Sequence, residues 1–363
     1  MSLAPDLVEQ IARARADLRM GVGVVLTGAG RGALVLAAET LRRERLEAVT
    51  ALGAAPSLAI TRRRAETLKA RVYDEDLARV RLPADADLGW IHAVADPADD
   101  LARPMKGPLV SERGGDAAMH RTALRLVKSA HLLPAALVAD LADPQAFAAA
   151  HGLTLLPAGL ADPVLAAVSP LHTVAQARLP VEAAGAGRLH VFRPEDGSEE
   201  HYAFEIGKPH RDRPVLARLH SACFTGDVLG SLKCDCGAQL RGALAQMGAE
   251  GAGVLLYLNQ EGRGIGLANK MRAYSLQDQG FDTVEANHRL GFEDDERDFR
   301  IGSDILRRMG FTEVRLMTNN PAKLHMMEAC GLTVAERVPL SVGRRAENEG
   351  YLATKAAKSG HLL

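Results

Sequence analysis

The sequence predicts a mixed α/β protein with two domains, and three observations support this prediction. The chain has 363 residues, more than one domain of ordinary size contains. Hydrophobic residues make up 47% of the chain and charged residues 25%, which is enough apolar side chain to form buried cores. Segments with helical periodicity alternate with short apolar runs along the chain. We expect one domain at residues 1–170 and a second at residues 171–363.

The first domain contains two kinds of pattern. Apolar side chains at helical spacing predict helices, and short apolar runs between polar segments predict strands. Pro163 and Pro170 indicate a linker over roughly residues 161–170. The clearest helices are residues 7–18 and 122–130, and the clearest strands are residues 23–26 and 135–138.

The second domain is predicted to begin with strands and to continue with alternating helices and strands. The predicted strands are residues 188–192, 201–206, 215–219, 253–258 and 314–317. The predicted helices are residues 239–247, 267–279, 303–309 and 321–330.

The charge of the chain argues against a partner with an extended charged surface. It has 44 basic and 45 acidic residues, so no global attraction to nucleic acid or to membranes is expected. No apolar run reaches the ~20 residues that span a bilayer, and the N-terminal residues lack a signal-peptide pattern. A cytoplasmic location is therefore expected, with any anion held at a local basic site.

Three of the four cysteines lie close together, at Cys223, Cys234 and Cys236. Three thiolates make a soft site suited to Zn²⁺, and three protein ligands leave a fourth position for water, as in catalytic zinc sites. The spacing also allows a structural zinc completed by a distant histidine, or buried cysteines without metal. The polar residues around the cluster favour the catalytic alternative; they are Thr225, Asp227, Ser231, Lys233 and Asp235.

Two turns between a predicted strand and a predicted helix suit phosphate. Residues 260–267 are rich in glycine, which lets backbone N–H groups approach an anion at a helix N-terminus, and Arg263 adds a guanidinium group. Residues 318–323 place Pro321 in a first helical turn and Lys323 beside it. The first turn alone is equally typical of an ordinary tight turn, and Lys323 alone is equally typical of a solvated surface lysine. Two such turns beside a predicted zinc site together favour a phosphate-binding site.

The densest run of charges lies at residues 291–298 and has two interpretations. Such runs are usually solvated loops. Alternatively, Asp295 is a general base beside Arg297, two residues further along the chain.

The chain from Leu171 to its C-terminus resembles GTP cyclohydrolase II. The resemblance rests on RLHSACFTGD at 218–227, SLKCDCG at 231–237, QEGRGIGLANKMRAYSLQDQGFDTVEAN at 260–287, LGFEDDERDF at 290–299 and TNNPAK at 318–323. It implies hydrolysis of GTP in riboflavin biosynthesis. The products are formate, pyrophosphate and 2,5-diamino-6-(5-phospho-ribosylamino)pyrimidin-4-one.

The resemblance also implies a role for each matching residue. Cys223, Cys234 and Cys236 would hold one Zn²⁺ per subunit, which activates the water that opens the imidazole ring. Asp295 matches the proton acceptor, Tyr274 an active-site tyrosine, and Arg297 a nucleophile at the α-phosphorus. A guanidinium group stays protonated, so a purely charge-stabilising role for Arg297 stays open. The matching GTP contacts are Arg218, Leu219, His220, Ser221, Ala222, Gln239, Glu261, Gly262, Arg263, Thr283, Thr318 and Lys323. Mg²⁺ with the triphosphate and a homodimer are also implied.

The first domain resembles a 3,4-dihydroxy-2-butanone 4-phosphate synthase that has lost its catalytic residues. Residues 32–39 and 123–141 carry this resemblance. The acidic motif of that family is absent, because residues 27–33 contain no carboxylate, and its histidine motif falls at Met119 and His120. The domain is therefore expected to be inactive and retained for folding, dimerisation or regulation.

Three alternatives remain open from the sequence. The chain could be a GTP-binding or scaffold protein with structural zinc, or a cyclohydrolase-like relative in another pathway such as pyrimidine catabolism. It could also be bifunctional, with an active synthase domain.

Overall fold

The apolar runs of the sequence form two β-sheets, each packed against helices. The computed structural model describes residues 3–28, 30–53, 55–350, 352–353, 360 and 362. Ala29, inside the stretch compared with the synthase motif, and Leu363, the predicted end of the second domain, lie outside these ranges. Met1–Ala167 and Ala268–Glu296 make up one compact unit, and Val168–Leu267 and Arg297–Leu363 the other. The mixed α/β class with two sheets is confirmed.

The first unit contains a six-stranded sheet. Its strands are β1 (Val24–Gly28), β2 (Arg31–Ala37), β3 (Ser57–Thr61), β4 (Leu77–Arg81), β5 (Ala135–Leu141) and β6 (Thr154–Pro157). The order across the sheet is β4-β3-β5-β2-β1-β6. All neighbouring strands are antiparallel except β1 and β6, which are parallel.

Helices cover both faces of this sheet, which explains why its strands are almost continuously apolar. The N-terminal part of the unit supplies α1 (Leu7–Arg19), α2 (Arg43–Ala51), α3 (Arg62–Thr67), α4 (Leu88–Ala95), α5 (Ala118–Ser129), α6 (Pro144–His151) and α7 (Ala158–Ala166). One core lies beneath α1, α5 and α7, and the other beneath α2, α3, α4 and α6. Along β1, Val24 and Leu26 point into the first core and Val25 into the second.

The linker predicted at residues 161–170 is helical in its first part. Residues 161–166 belong to α7, with Pro163 inside the helix. Ala161 is fully buried in the first core, so its packing outweighs the cost of a proline in a short helix. The linker prediction was wrong for residues 161–166, because it rested on two prolines, which do not indicate whether the neighbouring residues are buried.

The second unit contains a seven-stranded mixed sheet. Its strands are β7 (Leu171–Val181), β8 (Gly185–Pro194), β9 (His201–Ile206), β10 (Val215–Ser221), β11 (Gly253–Leu258), β12 (Glu313–Met317) and β13 (Thr333–Val338). The order is β13-β12-β10-β11-β9-β8-β7. Strands β7, β8, β9 and β11 pair antiparallel, whereas β11, β10, β12 and β13 pair parallel.

Helices also lie on both faces of the second sheet. They are the short α8 (Phe224–Asp227), then α9 (Cys236–Glu250), α12 (Arg300–Arg308) and α13 (Pro321–Ala329). Ala243 and Met247 of α9 pack on the face that carries Leu216, whereas α12 and α13 pack on the face that carries Ala217 and Leu219. None of the helices within the described residues is long and apolar enough to cross a membrane.

Residues 268–296 pack with the first unit, although the predicted second domain (171–363) contains them. This segment comprises most of α10 (Leu267–Asp278) and all of α11 (Thr283–Leu290). Hydrogen bonds explain the placement: Arg272 binds Glu39 at 2.9 Å, and Thr61 Oγ1 donates to the Gly291 carbonyl at 2.7 Å. Both bonds join residues more than 200 positions apart, so the local sequence pattern could not predict them.

Candidate active site

The topology of the second sheet gathers three loops at one edge. Parallel strands β10, β11 and β12 are neighbours, so residues that follow them share the carboxyl edge of the sheet. The chain leaves β10 towards β11 and leaves β12 towards β13, on the opposite side. Such a switch point is where open α/β sheets bind ligands. The three loops carry the cysteines (after Ser221), the glycine-rich turn (after Leu258) and residues 318–323.

The three cysteines converge directly after β10. Their Sγ atoms all lie within 4.8 Å of one another, and the Cys223 and Cys234 Sγ atoms are 3.7 Å apart. Cys223 and Cys234 are buried. The hydrogen bond with Cys223 is the largest cause that raises the pKa of Cys236 well above its usual value, followed by the bond with Cys234 and by burial.

The arrangement fits a zinc ion. Zn–S bonds of about 2.3 Å in tetrahedral geometry place two sulfurs about 3.8 Å apart, close to the observed 3.7 Å. Gly226 of α8 leaves the necessary room, because a Cβ there would stand 2.8 Å from the Cys234 Sγ and 3.1 Å from the Cys223 Sγ. A larger residue at position 226 would therefore fill the space between the sulfurs.

Asp227 organises the loop around the first cysteine. Its carboxylate accepts from the Cys223 backbone N–H at 3.0 Å, from the Tyr257 hydroxyl at 3.0 Å and from His220 Nε2 at 3.0 Å. Burial lowers the pKa of His220, so the imidazole is neutral and its proton lies on Nε2, facing the carboxylate. Burial also raises the pKa of Tyr257, which stays a phenol that donates to Asp227.

Arg218 is a buried cation on β10. Its guanidinium donates to Gln239 Oε1 at 2.6 Å and to the Met317 carbonyl at 3.3 Å. Burial lowers the pKa of Arg218 to about 10, which leaves it charged at neutral pH. Within the described residues its Nε–H has no acceptor, an unsatisfied donor of the kind that a ligand or a water molecule satisfies.

The glycine-rich turn is held in a left-handed backbone conformation. Gly262, Arg263 and Gly264 have φ values of +64°, +62° and +90° in the 3₁₀ turn Glu261–Gly264. Arg263 pays a steric cost of about 1 kcal/mol there, and such strain concentrates at functional sites. Glu261 Oε2 accepts from the Phe224 backbone N–H at 2.6 Å, which joins this turn to the cysteine loop.

The third loop and Arg297 meet the end of β10. Lys323 Nζ donates to the Leu219 carbonyl at 3.2 Å, and Arg297 donates to Ser221 Oγ at 3.2 Å. Both cations lie over the buried ring of Phe299, at 4.6 Å for Lys323 Nζ and 4.7 Å for Arg297 Cζ from the ring centroid. Thr318 Oγ1 accepts from the Asn320 N–H at 3.0 Å and shapes the turn.

The second unit thus brings together most of the predicted site. The residues at or beside the carboxyl edge are Arg218, Leu219, His220, Ser221, Ala222, Cys223, Cys234, Cys236, Gln239, Glu261, Gly262, Arg263, Arg297, Thr318 and Lys323. Tyr274, Thr283 and Asp295 lie in residues 268–296 of the first unit. Thr283 begins α11 and accepts from Gln277 Nε2 at 3.1 Å, and Asp295 is exposed. The roles of these three residues stay predictions.

Two polar partners were not predicted as site residues. Asp227 stood in the sequence only as one of several polar neighbours of the cysteines, and its three bonds depend on the fold. Tyr257 belongs to an apolar run, and only the register that pairs it with His220 across β10 and β11 shows its place. Asp227 is the last residue of the family motif at residues 220–227, so the motif could have indicated Asp227 as a site residue, whereas Tyr257 lies in none of the motifs.

The buried histidine of β9 predicts a stability that falls in acid. His201 Nδ1 accepts from the Asn259 backbone N–H at 3.1 Å, and burial lowers the pKa of His201 to about 4. The unfolded chain, with a histidine pKa near 6.5, therefore binds more protons below that pH, and stability falls as pH drops from about 6.5 towards 4. We expect a loss of about 2 kcal/mol at pH 5 from this residue.

The measurement is urea unfolding between pH 7.5 and 5. His201→Asn retains an acceptor near the Nδ1 position and should flatten the pH dependence. The control is His210→Asn, whose side chain is 73% exposed. Equal pH slopes for wild type and His201→Asn would contradict the assignment.

Comparison with known proteins identifies the family. A family model described as GTP cyclohydrolase II matches residues 172–339. GTP cyclohydrolase-2 of Azospirillum brasilense is 46% identical over 360 residues, which cover 97% of this chain and 94% of that protein. The chain belongs to the GTP cyclohydrolase II family. The resemblance of its C-terminal half is thereby confirmed.

Shorter GTP cyclohydrolase II proteins match only part of the chain. The GTP cyclohydrolase-2 of Cronobacter sakazakii is 54% identical over 193 residues, which cover 53% of this chain and 98% of that protein. A solved two-domain 3,4-dihydroxy-2-butanone 4-phosphate synthase from A. baumannii covers 90% of this chain and 99% of that one, at 18% identity and a TM-score of 0.34. That similarity is too low to support a conclusion about the first unit.

Proposed function

We propose that this chain is an active GTP cyclohydrolase II, which hydrolyses GTP in riboflavin biosynthesis. The products are formate, pyrophosphate and 2,5-diamino-6-(5-phospho-ribosylamino)pyrimidin-4-one. The observation that carries the proposal is the three-cysteine cluster at the carboxyl edge of parallel strands, in a chain of this family. Zn²⁺ held by Cys223, Cys234 and Cys236 would supply an activated water molecule for opening of the imidazole ring.

The residues around the cluster would bind and orient the nucleotide. Arg218 offers a buried positive charge and an unsatisfied N–H donor for an acceptor on GTP. In the turn at residues 261–266, the backbone N–H groups of Gly262, Gly264 and Gly266 already donate within the turn, so the contact with a phosphate would come from the Arg263 guanidinium, a second cation. Gln239 is held by hydrogen bonds with Arg218 and Asp235, and its side-chain amide would form a hydrogen bond with a polar group of the substrate. Asp227 would fix the backbone of Cys223 and orient the His220 ring by accepting from its Nε2.

Release of pyrophosphate would depend on the two cations over Phe299. Arg297 and Lys323 place two positive charges at similar distances from the ring centroid, which suits the negative charge of a transferring phosphoryl group. Asp295 would accept a proton, and Tyr274 would donate near the purine. Mg²⁺ would accompany the triphosphate, Thr283 and Thr318 would contribute further contacts, and the working form would be a homodimer.

The first 170 residues would form a synthase-like domain without synthase activity. Where the acidic motif is replaced, Thr27 and Gly28 of β1 pair with Gly32 and Arg31 of β2. Residues 27–33 contain no carboxylate that could hold Mg²⁺. His120 is buried and hydrogen-bonded to Ser57 at 2.9 Å, and burial lowers its pKa to about 4. A buried histidine with a lowered pKa is a weak proton acceptor.

The experiment that tests the proposal is incubation of the purified chain with GTP and Mg²⁺, followed by identification of the products. We expect formate and pyrophosphate in equal amounts together with the diaminopyrimidinone. Unchanged GTP in zinc-loaded protein would overturn the enzyme assignment and favour a binding protein. A product that retains the triphosphate would indicate a relative with a different reaction.

A further inference from the structure

Residues 268–296 lie within the part of the chain that the family model matches, yet they pack with the N-terminal residues. The 268–296 segment contains most of α10, all of α11 and the loop up to Glu296. It carries three residues with proposed roles, Tyr274, Thr283 and Asp295. Bonds between this segment and residues 1–167 therefore connect the N-terminal domain to residues with proposed roles in the reaction.

At the start of the segment, two polar side chains bind the N-terminal domain. Glu39, at the end of the stretch compared with the synthase motif, accepts from Arg272 at 2.9 Å and from the Leu133 backbone N–H at 2.7 Å. Asn269 is fully buried and donates from Nδ2 to the His131 carbonyl at 3.0 Å. A buried amide and a partly buried ion pair lose much of their stabilisation if one partner is removed.

At the end of the segment, the chain is fitted closely against the last residue of β3 and the loop before β5. Gly291 has a φ of +90°, and its carbonyl accepts from Thr61 Oγ1 at 2.7 Å. A Cβ at position 291 would stand 2.9 Å from both Pro134 Cγ and Thr61 Oγ1. Lys128 of α5 binds Glu296 at 2.6 Å, one residue after Asp295.

A buried charge cluster lies between these two ends. Asp100 binds Arg64 and Lys106 of the N-terminal domain, and Arg289 of the segment lies 3.4 Å from the same carboxylate. Asp100 is 7% exposed and Arg64 only 1%. The segment is thus joined to the N-terminal domain near its start, at Asn269 and Arg272, and near its end, at Arg289, Gly291 and Glu296.

We infer that the N-terminal domain positions the 268–296 segment, so that turnover of GTP depends on residues of the former synthase-like domain. The inference rests on the proposed function. Glu39 and Lys128 are the positioning residues, and they act through Arg272 and Glu296. The shorter relatives, which match only about half of this chain, have no room for such a domain, so the dependence belongs to chains with this N-terminal domain and not to the reaction itself.

The first test compares two charge-neutralising variants of the full-length, zinc-loaded protein. Glu39→Gln keeps an acceptor for the Leu133 N–H and loses the ion pair with Arg272. Asp17→Asn is the matched control, because Asp17 accepts from Thr154 Oγ1 at 2.6 Å within the same domain. We expect kcat/KM for GTP to fall roughly tenfold or more in Glu39→Gln, as misplacement of site residues predicts, and to stay near wild type in Asp17→Asn.

Hydrogen exchange distinguishes positioning from a general loss of stability. Amide exchange in peptides from residues 268–296 should accelerate in Glu39→Gln, while zinc content and the unfolding midpoint match those of Asp17→Asn. The double variant Glu39→Gln, Arg272→Gln should be no slower than Arg272→Gln alone, because Arg272→Gln already removes the ion pair with Glu39 along with the one with Asp96.

A second pair on α5 keeps the inference testable if Glu39→Gln folds poorly. Lys128→Met removes the bond to Glu296, and Arg125→Met removes a bond to Asp162 inside the N-terminal domain. Only Lys128→Met should slow turnover. Wild-type turnover with wild-type exchange in both Glu39→Gln and Lys128→Met would overturn the inference. Absence of turnover in the wild-type protein would instead overturn the proposed function.

Discussion

Replacing Cys234 by serine should remove zinc and stop turnover. The Cys234 Sγ lies 3.7 Å from the Cys223 Sγ, and a serine hydroxyl neither ionises at neutral pH nor offers the soft donor that zinc prefers. Loss of about 4 kcal/mol of metal assistance corresponds to roughly a 10³-fold decrease in kcat. The measurements are zinc per chain by elemental analysis and the rate of formate release.

Cys330→Ser provides the matched control for this prediction. Cys330 follows α13 and is outside the three-cysteine group, so the same substitution there should leave zinc and turnover unchanged. Full zinc content with full turnover in Cys234→Ser would refute the ligand assignment.

Replacing Arg297 by alanine should slow release of pyrophosphate and leave zinc in place. The Arg297 guanidinium reaches Ser221 Oγ at 3.2 Å and lies over Phe299, and neither partner is one of the three cysteines. Removal of one donor that stabilises charge in a transition state typically costs 10²–10³-fold in kcat, so we expect roughly that decrease. The measurements are pyrophosphate release, formate release and zinc content, taken on the same preparation.

The control for Arg297 is Arg308→Ala. Arg308 pairs with Asp304 one turn earlier on α12 and is 41% exposed, so its loss should change neither product. Unchanged pyrophosphate release in Arg297→Ala would contradict a role in phosphoryl chemistry, whether as nucleophile or as charge stabiliser. Loss of zinc in the same variant would show that Arg297 acts on the metal site instead.

Local pattern predicted most of the second sheet. The strands at residues 201–206 and 253–258 have the predicted bounds, because apolar runs there end abruptly at glycine or polar residues. The three cysteines were also predictable as a group, since a short loop after one strand brings Cys223 and Cys234 close without help from distant elements. Pro321 occupies the first turn of α13, as its fixed φ predicts.

Interactions between distant parts of the chain were not predictable from pattern. The helix that continues to Ala166 through Pro163 depends on burial of Ala161 in a core built by α1 and α5. The bond between Asp227 and Tyr257 depends on the register of β10 against β11. The placement of residues 268–296 depends on partners such as Glu39, more than two hundred residues earlier in the chain. Each is decided by tertiary packing, for which a single sequence carries no local signal.

The most direct test of the central claim is titration of zinc into metal-free protein while GTP turnover is measured. If the three-cysteine cluster holds the metal that opens the imidazole ring, formate release should rise in proportion to added zinc and level off at one zinc per chain. Pyrophosphate should appear in equal amount at the plateau. Full formate release from protein that contains no zinc would contradict the claim.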